Sequence, residues 1–114
     1  MKTSEGECPA EFTLGMIGGR WKIPLIFHLM DGPRRFSELS RALVGISQKM
    51  LTQQLREMER NGLVERRVYA QVPPRVEYEL TGLGKSLKPV VDAMCEWGEA
   101  HGPGPAAVSQ GAQP

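Results

Sequence analysis

The segment 46–80 restricts the possible folds of this chain more than any other part of it. It begins with a helix pattern in which Met50, Leu51, Leu55 and Met58 form one apolar stripe, while the opposite face is basic and rich in amides. Two short strand patterns follow directly, and a loop with two adjacent prolines separates them. A helix that leads into a hairpin in this way is typical of a recognition helix followed by a wing.

Apolar spacing and helix breakers predict five helices and one hairpin. The predicted helices cover about 9–17, 20–30, 36–43, 47–60 and 82–100, and the predicted strands cover 63–69 and 75–80. Ser47 is the expected N-cap of the fourth helix, and Pro89 is expected to bend the fifth from an interior position. The fold class is therefore mainly α with a small β-hairpin wing, an α+β fold of the winged helix-turn-helix type.

The length of 114 residues suits a single small domain. Residues 1–7 are polar and are expected to be flexible, and residues 8–101 form the predicted domain. Residues 102–114 have too few apolar side chains to fold and are expected to be a disordered tail.

The sequence contains no pattern that predicts an enzyme, a metal site or a membrane protein. It has no paired nucleophile and base, no glycine-rich phosphate loop and no spacing of metal ligands, so we expect no catalytic residue, metal or cofactor. Its two cysteines are too far apart in the chain to suggest a disulfide framework. No apolar stretch predicts a membrane span or a secretory signal, and we expect a soluble, cytoplasmic protein.

The net charge of +1 conceals an uneven distribution of charge along the chain. The segment 34–75 has nine basic and four acidic residues and carries +5, whereas the remainder has five basic and nine acidic residues and carries −4. A basic middle between acidic flanks favours a polyanionic partner, although a solvated charged surface would give the same pattern.

The fourth predicted helix has the side chains that base readout requires. Gln48 and Gln53 suit paired contacts with adenine, Lys49 and Arg56 suit guanine or phosphate, and Thr52 can touch a thymine methyl group. With the third helix it would form a helix-turn-helix that places it in the major groove of duplex DNA. A surface helix that is merely soluble is the alternative.

The predicted hairpin carries Arg66, Arg67 and Arg75, which can reach an adjacent minor groove or phosphates. Pro73 and Pro74 stiffen its tip, so less entropy is lost on binding. These arginines can equally discourage aggregation at a strand edge, and both roles can hold together.

Several short motifs follow one another in the chain: GGRWK (18–22), RFSEL (35–39), ISQKMLT (46–52), GLV (62–64) and VPPRVEYELT (72–81). In this order and at compatible spacing, over about 8–98, they resemble the HxlR-type family of bacterial winged-helix transcriptional regulators, which is related to the MarR group. It implies a homodimer built from the first and last helices and bound to a pseudo-palindromic operator. The candidate DNA contacts are Arg35, Ser37, Ser47, Gln48, Lys49, Thr52, Gln53, Arg56, Arg66 and Arg75.

The last predicted helix also has the apolar spacing of helices that pair, although the spacing does not distinguish parallel from antiparallel pairing. The candidate dimer contacts are Phe12 of the first helix and Leu83, Leu87, Val90, Met94 and Trp97 of the last.

Cys8 and Pro9 resemble the Cys-Pro pair near the N-terminus of the family, whose cysteine senses oxidants or electrophiles in some members. If Pro9 begins a helix, the free amides and dipole at its N-terminus stabilise a Cys8 thiolate. A disulfide between the Cys8 residues of two chains, or a mixed disulfide, would then alter the geometry of the dimer. A buried, inert cysteine is the alternative, and a structural role is expected for Cys95.

These features together predict a sequence-specific regulator of transcription that binds double-stranded DNA and is not an enzyme. The sequence favours repression without fixing the sign of regulation, and a small molecule or an oxidant is a candidate effector. The alternative is a winged-helix module that serves only protein–protein contact, which should present an apolar groove or an acidic wing instead of amides and arginines.

Overall fold

The computed structural model of the chain describes residues 8–103. Its elements are α1 (Pro9–Ile17), α2 (Lys22–Met30), β1 (Arg34–Arg35), α3 (Phe36–Ala42), α4 (Gln48–Arg60), β2 (Val64–Tyr69), β3 (Arg75–Leu80), α5 (Gly82–Lys85) and α6 (Lys88–His101). The predicted flexible segment 1–7 and residues 104–114 of the predicted tail lie outside the described residues.

The three strands form one antiparallel sheet in the order β1-β3-β2. β2 and β3 are the predicted hairpin, with Val64 opposite Leu80 at the base and Tyr69 opposite Arg75 near the tip. β1 was not predicted, because a strand of two residues is too short to show an alternating pattern. It pairs with β3 and so connects the N-terminus of α3 to the wing.

The prediction of one continuous helix over 82–100 is wrong. α5 ends at Lys85, and α6 begins at Lys88, so Pro89 is the second residue of a new helix and not an interior residue. A proline lacks the backbone donor of a helix interior and crowds the preceding turn, whereas the first turn tolerates it. The chain therefore turns at Ser86 and Leu87 instead of bending at Pro89.

The core lies where α2, α3, α4 and the base of the hairpin meet. Met50, predicted in the buried stripe of α4, is only half-buried. The buried apolar residues are Ile17, Leu25, Ile26, Leu29, Leu39, Leu43, Leu51, Leu55, Met58, Leu63, Val64, Leu80 and Val91. Because α4 contributes its Leu51–Leu55–Met58 stripe to this core, its opposite side must face solvent.

A buried lysine links α2 to α4. The side chain of Lys22 is 8% exposed, and its Nζ lies 2.6 Å from Glu57 Oε1 and 2.9 Å from Gln54 Oε1. The hydrogen bond from Lys22, followed by the attraction of its charge, holds the pKa of the Glu57 carboxyl below its usual value. Both acceptors belong to α4, so this contact restricts how α4 can rotate against α2.

The base of the wing is joined to the end of α4 by Thr81. Its hydroxyl donates to Gly62 O (2.5 Å) and accepts from Gly84 N (3.0 Å), while Thr81 N donates to Leu63 O (3.0 Å). Gly62 has a φ of +78°, which side-chain-bearing residues rarely adopt. A Cβ at Gly84 would overlap Leu63 O, so α5 can approach the turn this closely only with glycine there.

The Lys22–Glu57 pair predicts a specific dependence of stability on pH. The pKa of Glu57 is lower in the folded protein than in the unfolded chain, where it is near 4.5. The pair therefore stabilises the fold fully above the unfolded pKa, and this stabilisation disappears as the pH falls through the folded pKa. At pH 7 we expect the unmodified protein to have a larger free energy of unfolding in urea than Glu57→Gln. We expect this difference to shrink below about pH 4.5.

Each measurement is made on both proteins between pH 3 and 7, because the other carboxylates are common to both and cancel in the difference. A difference that is constant over this range would contradict the assigned role of the pair.

Candidate nucleic-acid interface

The predicted helix-turn-helix is formed by α3, a short turn and α4. Gly45 in the turn has a φ of +93°, which suits glycine. Ser47 is the N-cap of α4, as the sequence predicts: its Oγ accepts a hydrogen bond from Met50 N at 3.0 Å. At the start of α3, the Glu38 carboxylate accepts from Arg35 N at 2.8 Å. Both helices therefore begin at fixed positions.

The outward side of α4 forms one continuous polar surface, which we call the α4 polar face. Among the predicted DNA contacts on it, Thr52 is half-buried and the others are exposed. The face is lined by Gln48, Lys49, Thr52, Gln53, Arg56, Glu57 and Arg60. The carboxylate of Glu57 forms an ion pair with Lys22, so the remaining charge of this face is predominantly positive.

Three predicted contacts lie near α4 but outside this face. Ser47 is exposed at the N-terminus of α4, where its oxygen serves the cap. Arg35 lies on β1 and Ser37 in the first turn of α3, and both are exposed. Neither of these two lines the α4 polar face.

The arginines of the wing fall into two groups. Arg67 lies between two carboxylates, with its Nε 3.0 Å from Glu79 and an Nη 3.3 Å from Glu65. The attraction of Glu79 and then the contacts with Glu65 raise the pKa of Arg67 above its usual value. Arg66, by contrast, is exposed and makes no ion pair with any residue in 8–103.

Arg75, a predicted DNA contact, resembles Arg67 because its side chain also lies against other groups of the wing. Its guanidinium lies over the Tyr69 ring at 4.9 Å from the centroid. Its Nε is buried and lies 3.5 Å from Glu77 Oε2, which is long for a directed hydrogen bond. Arg75 is therefore partly committed to the wing itself, whereas Arg66 is not.

A second depression lies between α4 and the sheet. It is bordered by Thr52, Leu55, Arg56 and Glu59 from α4 and by Arg66 and Tyr78 from the hairpin. Sequence reasoning assigned Arg56 and Arg66 to two separate elements and did not single out Glu59 or Tyr78 as functional. The signal that was available is the strand alternation, which places Tyr78 on the same face as Leu80.

The predicted dimer contacts are apolar side chains that this single chain leaves largely uncovered. Trp97 and Phe12 are 67% and 66% exposed. Leu87 differs, because it is half-buried and packs against the core. The remaining three, Leu83, Val90 and Met94, are also exposed. Phe12, Leu83 and Leu87 border a shared apolar depression between α1 and α5.

Cys8 is exposed and caps α1, with its Sγ 3.4 Å from Ala10 N. The alternative of a buried cysteine is therefore wrong for this chain. Cys95 on α6 is also exposed, so it is not part of the core. Within residues 8–103, no cluster of three His, Cys, Asp or Glu side chains has the arrangement of a metal site. In the same range, no helix combines the length and apolarity needed to cross a membrane.

Comparison with known proteins connects these features to one family. The sequence model of the HxlR-like helix-turn-helix family matches residues 16–104. YybR of Bacillus subtilis, an HTH-type transcriptional regulator, is 55% identical over 94 residues, which are 82% of this chain and 75% of YybR.

Two solved structures extend this similarity to the fold. The reduced form of the redox regulator HypR is 55% identical, with a TM-score of 0.78 over 82% of this chain and 92% of that one. The diamide-treated form of YodB from B. subtilis is 40% identical, with a TM-score of 0.72 over 84% of this chain and 96% of that one. These comparisons confirm the predicted winged-helix fold and identify a family of regulators, not of enzymes.

Proposed function

The chain belongs to the HxlR-like helix-turn-helix family of transcriptional regulators, and from that premise we propose that it binds specific sequences of double-stranded DNA as a homodimer and represses transcription there. The observation that carries this proposal is the α4 polar face, in which amides and cations stand exposed on a helix that the core and Ser47 hold in place. Such a regulator acts in the cytoplasm, where bacterial DNA lies.

Base readout is assigned to the first two turns of α4. Gln48 and Gln53 each offer a donor and an acceptor that match adenine, and Lys49 offers donors to guanine or phosphate. Thr52 and Arg56 line the same α4 polar face, and Ser47 lies beside it at the N-terminus of the helix. Arg35, Ser37, Arg66 and Arg75 contact the backbone on either side. A module for protein–protein contact alone would need an apolar groove at this place, and α4 offers none.

A second copy of the chain is the proposed occupant of the uncovered apolar surface. Phe12, Leu83, Val90, Met94 and Trp97 are too large and too exposed to be favourable in water, and they come from α1, α5 and α6. A two-fold dimer through these helices would present two copies of α4, which read two half-sites of a pseudo-palindromic operator.

Cys8 is the proposed sensor of oxidants. It is exposed, it lies at the N-terminus of α1, and α1 also carries Phe12 of the proposed dimer interface. A two-electron oxidant removes two electrons and two protons from two thiols and leaves one disulfide. A disulfide that includes Cys8 would displace α1. Because α1 belongs to the proposed dimer interface, this displacement would change the distance between the two copies of α4. The similar protein HypR is described as a redox regulator, which supports this assignment.

The proposed function predicts a selective and strongly salt-dependent interaction with DNA. Selection from a random pool of duplexes with the purified protein should yield an inverted repeat with half-sites about one helical turn apart. If six to ten phosphates are contacted, affinity should fall about 10³–10⁵-fold between 50 and 200 mM salt. Titration by fluorescence anisotropy measures this slope. Recovery of no preferred duplex, or binding that does not depend on salt, would overturn the proposal.

Gln53→Ala should relax the sequence preference at one base position. Loss of a paired contact with a base costs roughly 1–3 kcal/mol at that position, whereas contacts with phosphate remain. The measurement compares affinity for the selected duplex and for duplexes with single base changes, with a shuffled duplex as the control. An equal loss of affinity for every duplex would instead assign Gln53 to positioning.

Cys8→Ser should bind the selected duplex as the unmodified protein does, but without a response to diamide. In the unmodified protein, diamide should weaken binding and produce a disulfide on a non-reducing gel, and dithiothreitol should reverse both effects. Cys95→Ser is the matched variant, and it should retain the response. A response of normal size in Cys8→Ser would remove Cys8 from the mechanism.

A further inference from the structure

The depression between α4 and the sheet has a composition that differs from that of a pocket for an apolar ligand. Its volume is about 340 Å³, and Leu55 is the one aliphatic side chain among its six lining residues. Pockets that bury organic ligands are lined mainly by apolar groups. This groove instead combines two guanidinium groups, from Arg56 and Arg66, with the phenol of Tyr78. That set of donors suits an anionic oxygen.

The register of the sheet explains how these groups come together. Tyr78 on β3 is directly opposite Arg66 on β2 and Arg34 on β1, so the three side chains share one face. The ring of Tyr78 packs against the core. Its hydroxyl makes no hydrogen bond with any group in residues 8–103, and it therefore has a donor to offer to a ligand.

The two faces of the wing differ in their charge pairing. On the outer face, Arg67 and Arg75 lie against the carboxylates of Glu79 and Glu77. On the face toward α4, Arg66 has no acidic partner among the described residues, and Arg56 across the groove has none either. Two cations that make no ion pair with any described residue, one on the wing and one on α4, therefore line the same groove, which the Glu59 carboxylate also borders.

The position of the groove relates it to the geometry of duplex DNA. One sugar–phosphate strand separates each major groove from the next minor groove. A protein that inserts a helix into the first and a wing into the second must be crossed by that strand between the two elements. The groove lies between α4 and the hairpin, at the place that this strand would occupy.

We propose that this groove holds one backbone phosphate of DNA, with Arg56 and Arg66 supplying the positive charge and the Tyr78 hydroxyl a directed hydrogen bond. This inference rests on the function proposed above and adds Tyr78 as a positioning residue. Glu59 borders the same groove, and its carboxylate repels a phosphate there. It therefore lowers affinity for every duplex.

Three variants separate these contributions, each measured on the selected duplex and on a shuffled one. Tyr78→Phe should lose roughly tenfold in affinity for both, with an unchanged salt slope, because a donor is lost and no cation is. Arg66→Gln should lose affinity for both, with a slope reduced by about 2, because the dimer loses one cation from each copy. Glu59→Gln should gain affinity for both, because a repulsion is removed.

Tyr69→Phe is the matched control for Tyr78→Phe. Tyr69 lies on the opposite face of the hairpin, under Arg75, and the ring that stacks there is retained, so binding should not change. Thermal unfolding of each variant is measured first, and affinities refer to the concentration of folded protein.

Ethylation interference distinguishes a backbone phosphate from a free anion. Ethylation of one phosphate per half-site should weaken binding of the unmodified protein. It should weaken binding of Tyr78→Phe by a smaller factor, because in that variant only the contacts with Arg56 and Arg66 remain to be lost. If no such phosphate exists, and inorganic phosphate competes more strongly than chloride at equal ionic strength, the groove binds a free anion and the proposal is wrong.

The failure of this proposal is distinguishable from failure of the proposed function. If the unmodified protein binds DNA with steep salt dependence but Tyr78→Phe binds equally well, the phosphate site is overturned and the DNA-binding function stands. If the unmodified protein binds no duplex at low salt, both are overturned.

Discussion

The Lys22 ammonium joins α2 to α4 through two acceptors on adjacent turns of α4, Gln54 and Glu57. A buried ammonium without partners would be strongly unfavourable, so the folded chain must keep these acceptors within reach. Because both belong to α4, the contact fixes the rotation of that helix as well as its position. The apolar stripe then meets the core, and the amides and cations of the α4 polar face are directed to solvent.

The second constraint is the joint at Thr81, which holds the end of α4, the base of the wing and the start of α5 together. Since the wing leaves this joint in a fixed direction, its two faces have different neighbours. One face packs near α4 and keeps Arg66 unpaired, while the other compensates its arginines with glutamates. The basic segment of the sequence thus becomes a directed surface, although the net charge of the whole chain is close to zero.

The elements that were predicted best are those with a strong period and clear ends. α4 and β3 match their predicted bounds closely, because Ser47 and the glycine after Asn61 mark the helix and strict alternation marks the strand. The last helix was predicted poorly, since its apolar spacing continues through the break at Ser86 and Leu87 and conceals it. β1 escaped prediction because it is defined by its pairing with β3 and not by its own two residues.

The candidate site shows the same division. The residues of the α4 polar face follow from helical periodicity, since a helix with one apolar stripe has only one side left for its polar groups. The groove with Tyr78 does not follow in this way, because Arg56, Arg66 and Tyr78 lie on three different elements. Strand alternation restricts the face of Tyr78 but does not say which helix packs beside that face.

By itself, the sequence determined the local structure and the chemistry that each element can present, because periodicity, capping and turn residues act over a few positions. The tertiary structure alone decided which arginines are compensated, which tyrosine borders the groove beside α4 and which helix the wing faces. These depend on strand register and helix packing, which bring together residues that are distant in the chain.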